Sequence, residues 1–284
     1  MNTVEKKPSL LNEMRRRKAE DIKHRGLMSY PVDEPYEKPA QEMAKFLLEC
    51  LPGFKEFESP TTGLKLAVDK DFCPQMFHYF LVGDYEENDM QLIKKHVTPG
   101  SRVLELGAGV GLTGSMLARV SGNPVTLVEP NTLLHGYIEK TFAANQVDYK
   151  LINAAVVADH VELEMVPFFR SKKYWWSSLY EGNAGEELVV PAIRLSDAIQ
   201  QAEADTLLVD IEGYEGTLLS DLDSIKGINT LLVEVHTPAI GTEASAGLFN
   251  SLIKGGFSMV DFSAHTFVFK RPAITQLRGE GRWY

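Results

Sequence analysis

Residues 103–111 read VLELGAGVG, and this stretch decides the fold class. Its first four residues are mostly apolar and predict a short buried strand. Gly107, Gly109 and Gly111 follow at once, and they allow a sharp turn and a close approach to a ligand because no Cβ intervenes. A helix-like stretch at 112–120 would then direct its free N-terminal N–H groups toward that ligand. The sequence therefore predicts a strand, a glycine-rich loop and a helix in succession.

The same alternation continues along the chain. Apolar runs that predict buried strands lie at 125–129, 149–154, 206–211, 230–235 and 257–262, and helix-like stretches lie between them at 133–145, 195–202, 216–222 and 243–253. Two further strands are predicted at 161–168 and 188–193. Such alternation predicts an α/β fold, in which helices cover both faces of a mostly parallel sheet. Because ligands of such sheets bind beyond the carboxyl ends of the strands, the residues that end each strand are the site candidates.

Composition and charge limit the partners and the cellular compartment that we expect for this protein. The 284 residues include 29 Lys and Arg against 39 Asp and Glu, a net charge of −10, which disfavours nucleic acid as a partner. No apolar run approaches the ~18 residues that cross a bilayer, so we expect no membrane partner. The two cysteines suggest no disulfide framework and the first residues resemble no secretory signal, so a cytoplasmic protein is expected.

The glycine loop is compatible with two cofactors. Gly109, Gly111 and Gly114 match the GxGxxG pattern that holds the pyrophosphate of NAD. An overlapping pattern begins at Glu105 and continues through Gly107, and it is familiar from sites for S-adenosylmethionine (SAM). An acid at Glu105 would lie unfavourably close to a pyrophosphate, which favours SAM.

The second and third strands end in residues suited to an adenosine. Glu129 can accept hydrogen bonds from both ribose hydroxyls, a role that NAD and SAM share. Pro130 and Asn131 follow it directly. Asn153 and Ala154 end the third strand, where an adenine edge could lie.

The fourth strand ends in three carboxylates within six residues, Asp210, Glu212 and Glu215. Buried carboxylates are costly unless they meet cations or donors. SAM brings an ammonium and a sulfonium, whereas a pyrophosphate brings the opposite charge. The cluster therefore favours SAM, another cation or a metal over NAD.

The fifth strand ends in Glu234 and His236, which stand two residues apart and so project to the same side. His236 is the best candidate for a general base, because its ordinary pKa of ~6.5 lies near working pH. Together with Asp210, these two side chains could also ligate a divalent metal.

The sequence resembles the FkbM-type SAM-dependent methyltransferases from about residue 63 to 270. The resemblance rests on GDYE at 83–86, VLELGAGVG at 103–111, VEP at 128–130, SSL at 177–179, VDIEGYE at 209–215 and LVEVH at 232–236. The last two blocks are the specific ones, since the glycine loop alone would fit any class I methyltransferase. Gly109 departs from the family, which often has Asn there.

This resemblance implies a Rossmann-like class I methyltransferase fold with a seven-stranded sheet, whose last strand, near 265–269, runs antiparallel. It implies methyl transfer, usually to an oxygen of a natural product, a sugar or another small-molecule acceptor. The expected SAM contacts are Glu86, Glu105, Gly107, Ala108, Gly109, Gly111, Glu129, Pro130, Asn131, Asn153, Ala154 and Asp210, and the expected catalytic residues are His236, Glu212 and Glu234. An NAD(P)-dependent oxidoreductase and a non-catalytic SAM-binding scaffold stay open as alternatives.

Three regions are expected along the chain. Residues 1–62 predict a helical extension that acts as a lid or as the arm of a homo-oligomer. Residues 63–272 predict the methyltransferase domain, and 273–284 a tail. The aromatic segment KKYWW at 172–176 is expected either to cover the acceptor or to pack against the domain or at a subunit contact.

Overall fold

The computed structural model describes residues 37–171, 177–179 and 186–272. Most of the predicted N-terminal extension, the aromatic segment 172–176 and the predicted tail 273–284 lie outside the described residues. In the described part, no helix is both long and apolar enough to cross a membrane.

Helices and strands alternate through most of the described chain. The helices are α1 (Glu37–Glu49), α2 (Pro74–Val82), α3 (Glu87–His96), α4 (Leu112–Ser121), α5 (Thr132–Asn145), α6 (Leu195–Ala202), α7 (Glu215–Leu218), α8 (Thr237–Ile240) and α9 (Thr242–Lys254). The strands are β1 (Lys55–Glu58), β2 (Lys65–Val68), β3 (Val103–Leu106), β4 (Val125–Val128), β5 (Tyr149–Ile152), β6 (Ala155–Val157), β7 (Met165–Arg170), β8 (Glu186–Arg194), β9 (Thr206–Val209), β10 (Thr230–Glu234), β11 (Ser258–Ser263) and β12 (Thr266–Lys270).

A seven-stranded sheet forms the centre of the molecule, in the order β11-β12-β10-β9-β3-β4-β5. The five strands from β10 to β5 are mutually parallel, and β3 lies in the middle, between β9 and β4. The last strand, β12, runs antiparallel to β10. The expected fold, a mostly parallel seven-stranded sheet with an antiparallel last strand, is confirmed.

Helices cover both faces of this sheet, as predicted. Side chains of β3 alternate between the faces, so Val103 belongs to one apolar cluster and Leu104 to the other. The first cluster includes Phe77 of α2, and the second includes Leu252 of α9. Because both faces are covered, the central strands are buried along their whole length.

The strand predicted at 149–154 ends at Ile152 as β5, and a separate strand that was not predicted, β6, follows at Ala155. β5 belongs to the main sheet, whereas β6 pairs with β8 in a second, three-stranded sheet of order β6-β8-β7. Asn153 lies in the break between them, and its backbone leaves the main sheet there. A continuous apolar pattern in the sequence does not reveal a change of pairing partner.

The sequence also did not predict α2, α8 or β1. α2 has no exposed residue, and its sequence is mostly apolar, so it lacks the polar face that identifies an amphipathic helix. β1 pairs with β2 in a hairpin, and this pairing crosses the boundary predicted at 62/63. The domain boundaries themselves stay predictions. The helix predicted at 216–222 is only the short α7.

Candidate active site

Gly107 brings the ends of β3 and β9 into contact. Its φ is +86°, and a Cβ there would lie only 1.7 Å from the carbonyl oxygen of Asp210. Its N–H donates to the carbonyl of Val128 at 3.0 Å. Glycine is therefore required for two reasons, the backbone conformation and the space, and the carboxyl ends of three neighbouring strands meet around it.

A cleft opens at this edge, between the main sheet and the three-stranded sheet. Four of the predicted SAM contacts line it, namely Gly107, Glu129, Pro130 and Asp210. The remaining lining residues were not predicted: Val128, Ala155, Val156, Phe168, Ser177, Ser178, Leu179, Ile211 and Tyr214. The segment 177–179 belongs to the family resemblance, but its sequence indicated no role. Most of the cleft wall is apolar, with a carboxylate at each of two positions.

Glu129 is held by backbone donors at this cleft. Its Oε1 accepts from the N–H of Asn131 at 2.8 Å, and its Oε2 accepts from the N–H of Gly109 at 3.1 Å. Burial raises the pKa of Glu129 to about 7, although the two N–H donors oppose the rise. Each carboxylate oxygen has a second lone pair, which leaves Glu129 able to accept a hydroxyl from a ligand.

Glu105 lies beneath the glycine loop rather than on the cleft. Its side chain is 0% exposed, Oε1 accepts from the hydroxyl of Thr113, and Oε2 has no hydrogen-bond partner. A Cβ on Gly114 would lie 2.5 Å from Oε2, so the absence of a side chain there makes room for the acid. Burial raises the pKa of Glu105 to about 8.

The other predicted contacts of the loops lie outside the cleft lining. Ala108 and Gly111 close the turn before α4, where the N–H of Gly111 donates to the carbonyl of Ala108 at 2.8 Å. Asn131 caps α5 by accepting the N–H of Leu133 at 3.3 Å. Asn153 and Ala154 lie in the break between β5 and β6, where Asn153 is exposed and Ala154 is buried.

Acidic side chains gather around one histidine next to the cleft. We call this group the carboxylate cluster, and it consists of Glu86, Asp89, Asp210, Glu212, Glu215 and Glu234 around His236. Asp210 belongs to both the cluster and the cleft lining. It therefore marks the border between an apolar compartment and a strongly acidic one.

His236 contacts carboxylates through both ring nitrogens. Nδ1 lies 2.7 Å from Oε1 of Glu215, and Nε2 lies 3.1 Å from Oε2 of Glu212. Asp210 Oδ1 and Glu234 Oε1 are farther from Nε2, at 3.8 and 3.9 Å. Burial alone would lower the pKa of His236, but the bonds to Glu212 and Glu215 outweigh it and raise the pKa to about 12. The ring is therefore held as an imidazolium.

The carboxylate cluster contains more acidic side chains than its one histidine can neutralise. Burial, and then the charges of Glu234 and Glu212, raise the pKa of Asp210 well above its usual range, and its buried Oδ1 has no hydrogen-bond partner. Burial and the charge of Asp89 raise the pKa of Glu234 to about 8. Burial likewise raises the pKa of Glu86 well above its usual range. A bound cation would relieve this repulsion.

The predicted metal ligands lie together. Ligand atoms of Asp210, Glu234 and His236 are all within 4.8 Å of one another, as are those of Glu86, Asp89 and Glu234. Carboxylate oxygens and an imidazole nitrogen suit several divalent ions. Metal binding stays a prediction.

Two residues of the cluster have strained backbones. Glu86 has a φ of +53° and Glu212 a φ of +57°, the left-handed region that non-glycine residues rarely adopt. Such strain costs on the order of 1–2 kcal/mol per residue and concentrates at functional sites. Glu86 is the N-cap residue that precedes α3, and Glu212 lies in the turn between β9 and α7.

Residues 105–263 match the family described as the methyltransferase FkbM domain, and this match covers more than half of the 284 residues. The chain belongs to the FkbM methyltransferase family. It is a SAM-dependent methyltransferase, which decides between the two cofactors that the glycine loop left open. The match includes the glycine loop, the turn at 209–215 and the end of β10, where the cleft and the carboxylate cluster lie.

Solved methyltransferases have similar structures at low sequence identity. A methyltransferase from Pyrococcus furiosus is 13% identical, with a TM-score of 0.42 over 84% of this chain and 99% of that one. A putative SAM-dependent methyltransferase from Streptococcus mutans is 10% identical, with a TM-score of 0.45 over 77% of this chain and 56% of that one. Fibrillarin from Aeropyrum pernix with bound SAM is 12% identical, with a TM-score of 0.38 over 61% and 67%.

Proposed function

We propose that this FkbM-family enzyme transfers a methyl group from SAM to an oxygen, hydroxyl or carboxyl, of a small-molecule, sugar or natural-product acceptor. One observation carries the proposal. The carboxylate cluster lies directly beside the cleft and shares Asp210 with it, so an acceptor bound at the cluster would lie next to a cofactor bound in the cleft.

The residues of the cleft fit SAM. Its apolar walls, which include Val156 and Phe168, suit an adenine, and Glu129 can accept the ribose hydroxyls. Gly107 lines the same cleft, and its lack of a Cβ is what lets the ends of β3 and β9 meet there. The buried Oδ1 of Asp210, which has no hydrogen-bond partner, suits the positively charged methionine half of SAM. The cleft therefore offers complementary chemistry to both halves of the cofactor.

The chemistry that SAM supplies is a methyl group activated by a positively charged sulfur. An attacking hydroxyl must lose its proton as the new O–C bond forms, so a base has to lie beside it. His236 was the expected base, but an imidazolium with a pKa of about 12 has no free lone pair at neutral pH. We therefore assign the role of general base to Glu234, whose carboxylate would take the hydroxyl proton and whose pKa of about 8 lies near working pH.

The remaining predicted catalytic residues then have different roles. Glu212 and His236 form an ion pair at 3.1 Å, which fixes the wall of the acceptor compartment beside Glu234. A fixed wall contributes by orienting the acceptor oxygen toward the methyl group, and orientation of this kind supplies a large part of methyl-transfer rates. A carboxylic acid acceptor would need no base, since it is ionised already.

The decisive experiment is a screen for release of S-adenosylhomocysteine. Purified enzyme is incubated with SAM and with hydroxylated or carboxylated metabolites, with EDTA or with added Mg²⁺. Glu234→Gln should lower turnover of a hydroxyl acceptor by roughly 10²–10⁴-fold, while calorimetric SAM affinity stays near that of the original protein. SAM binding without turnover of any acceptor would instead support the non-catalytic scaffold. An unchanged rate in Glu234→Gln would remove Glu234 as the base.

A further inference from the structure

Glu215 is the most completely buried member of the carboxylate cluster. It is the first residue of the four-residue helix α7, and its side chain is 0% exposed. The mechanism proposed above gives it no role. A buried carboxylate is strongly destabilising unless its charge is paired and its oxygens are hydrogen-bonded. Oε2 of Glu215 has no hydrogen-bond partner, so the partners of Oε1 show what this side chain does.

One oxygen of Glu215 binds two different segments of the site. Oε1 lies 2.7 Å from Nδ1 of His236, at the end of β10, and accepts the N–H of Gly213 at 2.9 Å, in the turn that follows β9. A carboxylate can only accept, so Nδ1 donates in the first of these bonds. Glu215 thus links the ends of two neighbouring strands through a single atom.

The bond to His236 determines where the other ring nitrogen points. With Nδ1 bound to Glu215, Nε2 faces Glu212 at 3.1 Å and the open side of the cluster. Imidazole orientation is set in this way at many functional sites, where a second acceptor fixes the ring through the nitrogen that does not face the ligand. Without Glu215 the ring would lose its bond at Nδ1 and would be held chiefly by its contact with Glu212.

The bond to Gly213 holds the turn that carries Glu212. Glu212 has a φ of +57° and Gly213 a φ of +111°, so this turn is strained at the very residue that contacts Nε2. Strained backbone persists only where the surrounding structure over-determines it. The N–H of Gly213, held by Glu215, is one such restraint.

We infer that Glu215 is a positioning residue of this site: its buried carboxylate orients the His236 ring and secures the turn that carries Glu212. The catalytic consequence rests on the proposed function, but the contacts themselves do not. Glu215 acts through His236 and Glu212 and does not need to touch a substrate.

The first test needs no acceptor. Protein labelled with ¹⁵N-histidine should give a downfield Nδ1–H signal that is protected from exchange and is absent in His236→Gln. Glu215→Gln keeps the volume of the side chain but removes its negative charge, which weakens the hydrogen bond from Nδ1–H. Exchange of this proton with solvent should therefore be about tenfold faster or more. Glu164→Gln, an exposed acid in the same chain, is the matched control and should leave the signal unchanged. An unchanged Nδ1–H signal in Glu215→Gln would overturn the inference.

The second test uses an acceptor from the screen. Glu215→Gln should lower kcat about tenfold with SAM affinity within about threefold of the original. Because Glu215 acts partly through His236, the loss of kcat in the double variant with His236→Gln should be smaller than the product of the losses in the two single variants. Multiplying effects would contradict the inference. Failure to bind SAM would refute the proposed function and leave the signal of the Nδ1–H proton to decide the role of Glu215.

Discussion

Gly107 is the residue on which both the fold and the site depend most directly. Its left-handed backbone alone would cost an alanine about 1–2 kcal/mol, and the Cβ would lie 1.7 Å from the carbonyl of Asp210. We expect Gly107→Ala to lower the free energy of unfolding by at least about 2 kcal/mol and to weaken SAM binding, because the ends of β3 and β9 must move apart. Chemical denaturation and calorimetric titration with SAM measure the two effects.

Gly109 provides the matched comparison, since it lies two residues away in the same loop. Its φ is +53°, but nothing lies within 4 Å of a Cβ placed there, and its N–H would still reach Glu129. Gly109→Ala should therefore cost only about 1 kcal/mol, the penalty of the backbone conformation. Equal losses in the two variants would mean that contact with Asp210 is not what makes Gly107 necessary.

Individual residues show where prediction from the sequence ends. The two-residue spacing of Glu234 and His236 correctly predicts that their side chains project to one side of the sheet edge. Oε1 of Glu234 lies 3.9 Å from Nε2 of His236 there. Glu105 is different, because a strand presents alternate residues to opposite faces. The pattern VLEL does not say which face an acid would occupy, and Glu105 faces α4 rather than the cleft.

At the scale of elements, the side chain of Asn145 in α5 makes two hydrogen bonds with the backbone of the β1–β2 hairpin. Asn145 accepts the N–H of Lys65 at 2.9 Å and donates to the carbonyl of Lys65 at 2.6 Å. Its side-chain amide thus makes the pair of hydrogen bonds that a neighbouring strand would make with β2. It also donates to the carbonyl of Thr141 at 2.8 Å. The hairpin therefore depends on this side chain for hydrogen bonds that a further strand would otherwise provide.

Asn145→Ala should lower the free energy of unfolding by about 1–3 kcal/mol, because the N–H and carbonyl of Lys65 lose their partners. Hydrogen exchange of the Lys65 amide should rise more than that of amides in β3. Glu139→Ala, at an exposed position of the same helix, should change stability by less than about 0.5 kcal/mol. Equal exchange rates for Lys65 in both variants would show that Asn145 does not hold the hairpin.

Elements also differ in how well their sequences predict them. The central strands β3, β4, β9 and β10 were predicted within one or two residues, since short apolar runs between helices have few alternatives in an α/β chain. The three-stranded sheet was missed, although two of its strands were predicted. Its pairing requires the chain to leave the main sheet after β5, so that β6 can pair with β8. A local sequence pattern does not show which distant segments pair.

At the scale of the whole molecule, burial of acids makes folding depend on pH. Burial raises the pKa of Glu105 to about 8 and that of Glu129 to about 7, from an ordinary value of 4.5. Between pH 4.5 and these raised pKa values, the folded state retains protons that the unfolded state has released. The free energy of unfolding should therefore be greatest below about pH 4.5 for these groups and should fall as pH rises through about 8.

Glu105→Gln isolates the share of one buried acid in this dependence. Glutamine is neutral throughout, and its carbonyl oxygen can still accept from Thr113, so the variant should lose less stability than the original protein between pH 5 and pH 9. The gap between the two curves should widen with pH and reach up to about 4 kcal/mol. Denaturation curves collected across this range without SAM measure it, and Glu164→Gln, which is exposed, should run parallel to the original. Parallel curves for Glu105→Gln would mean that Glu105 is already ionised in the folded protein, because only a proton held on folding can produce the slope.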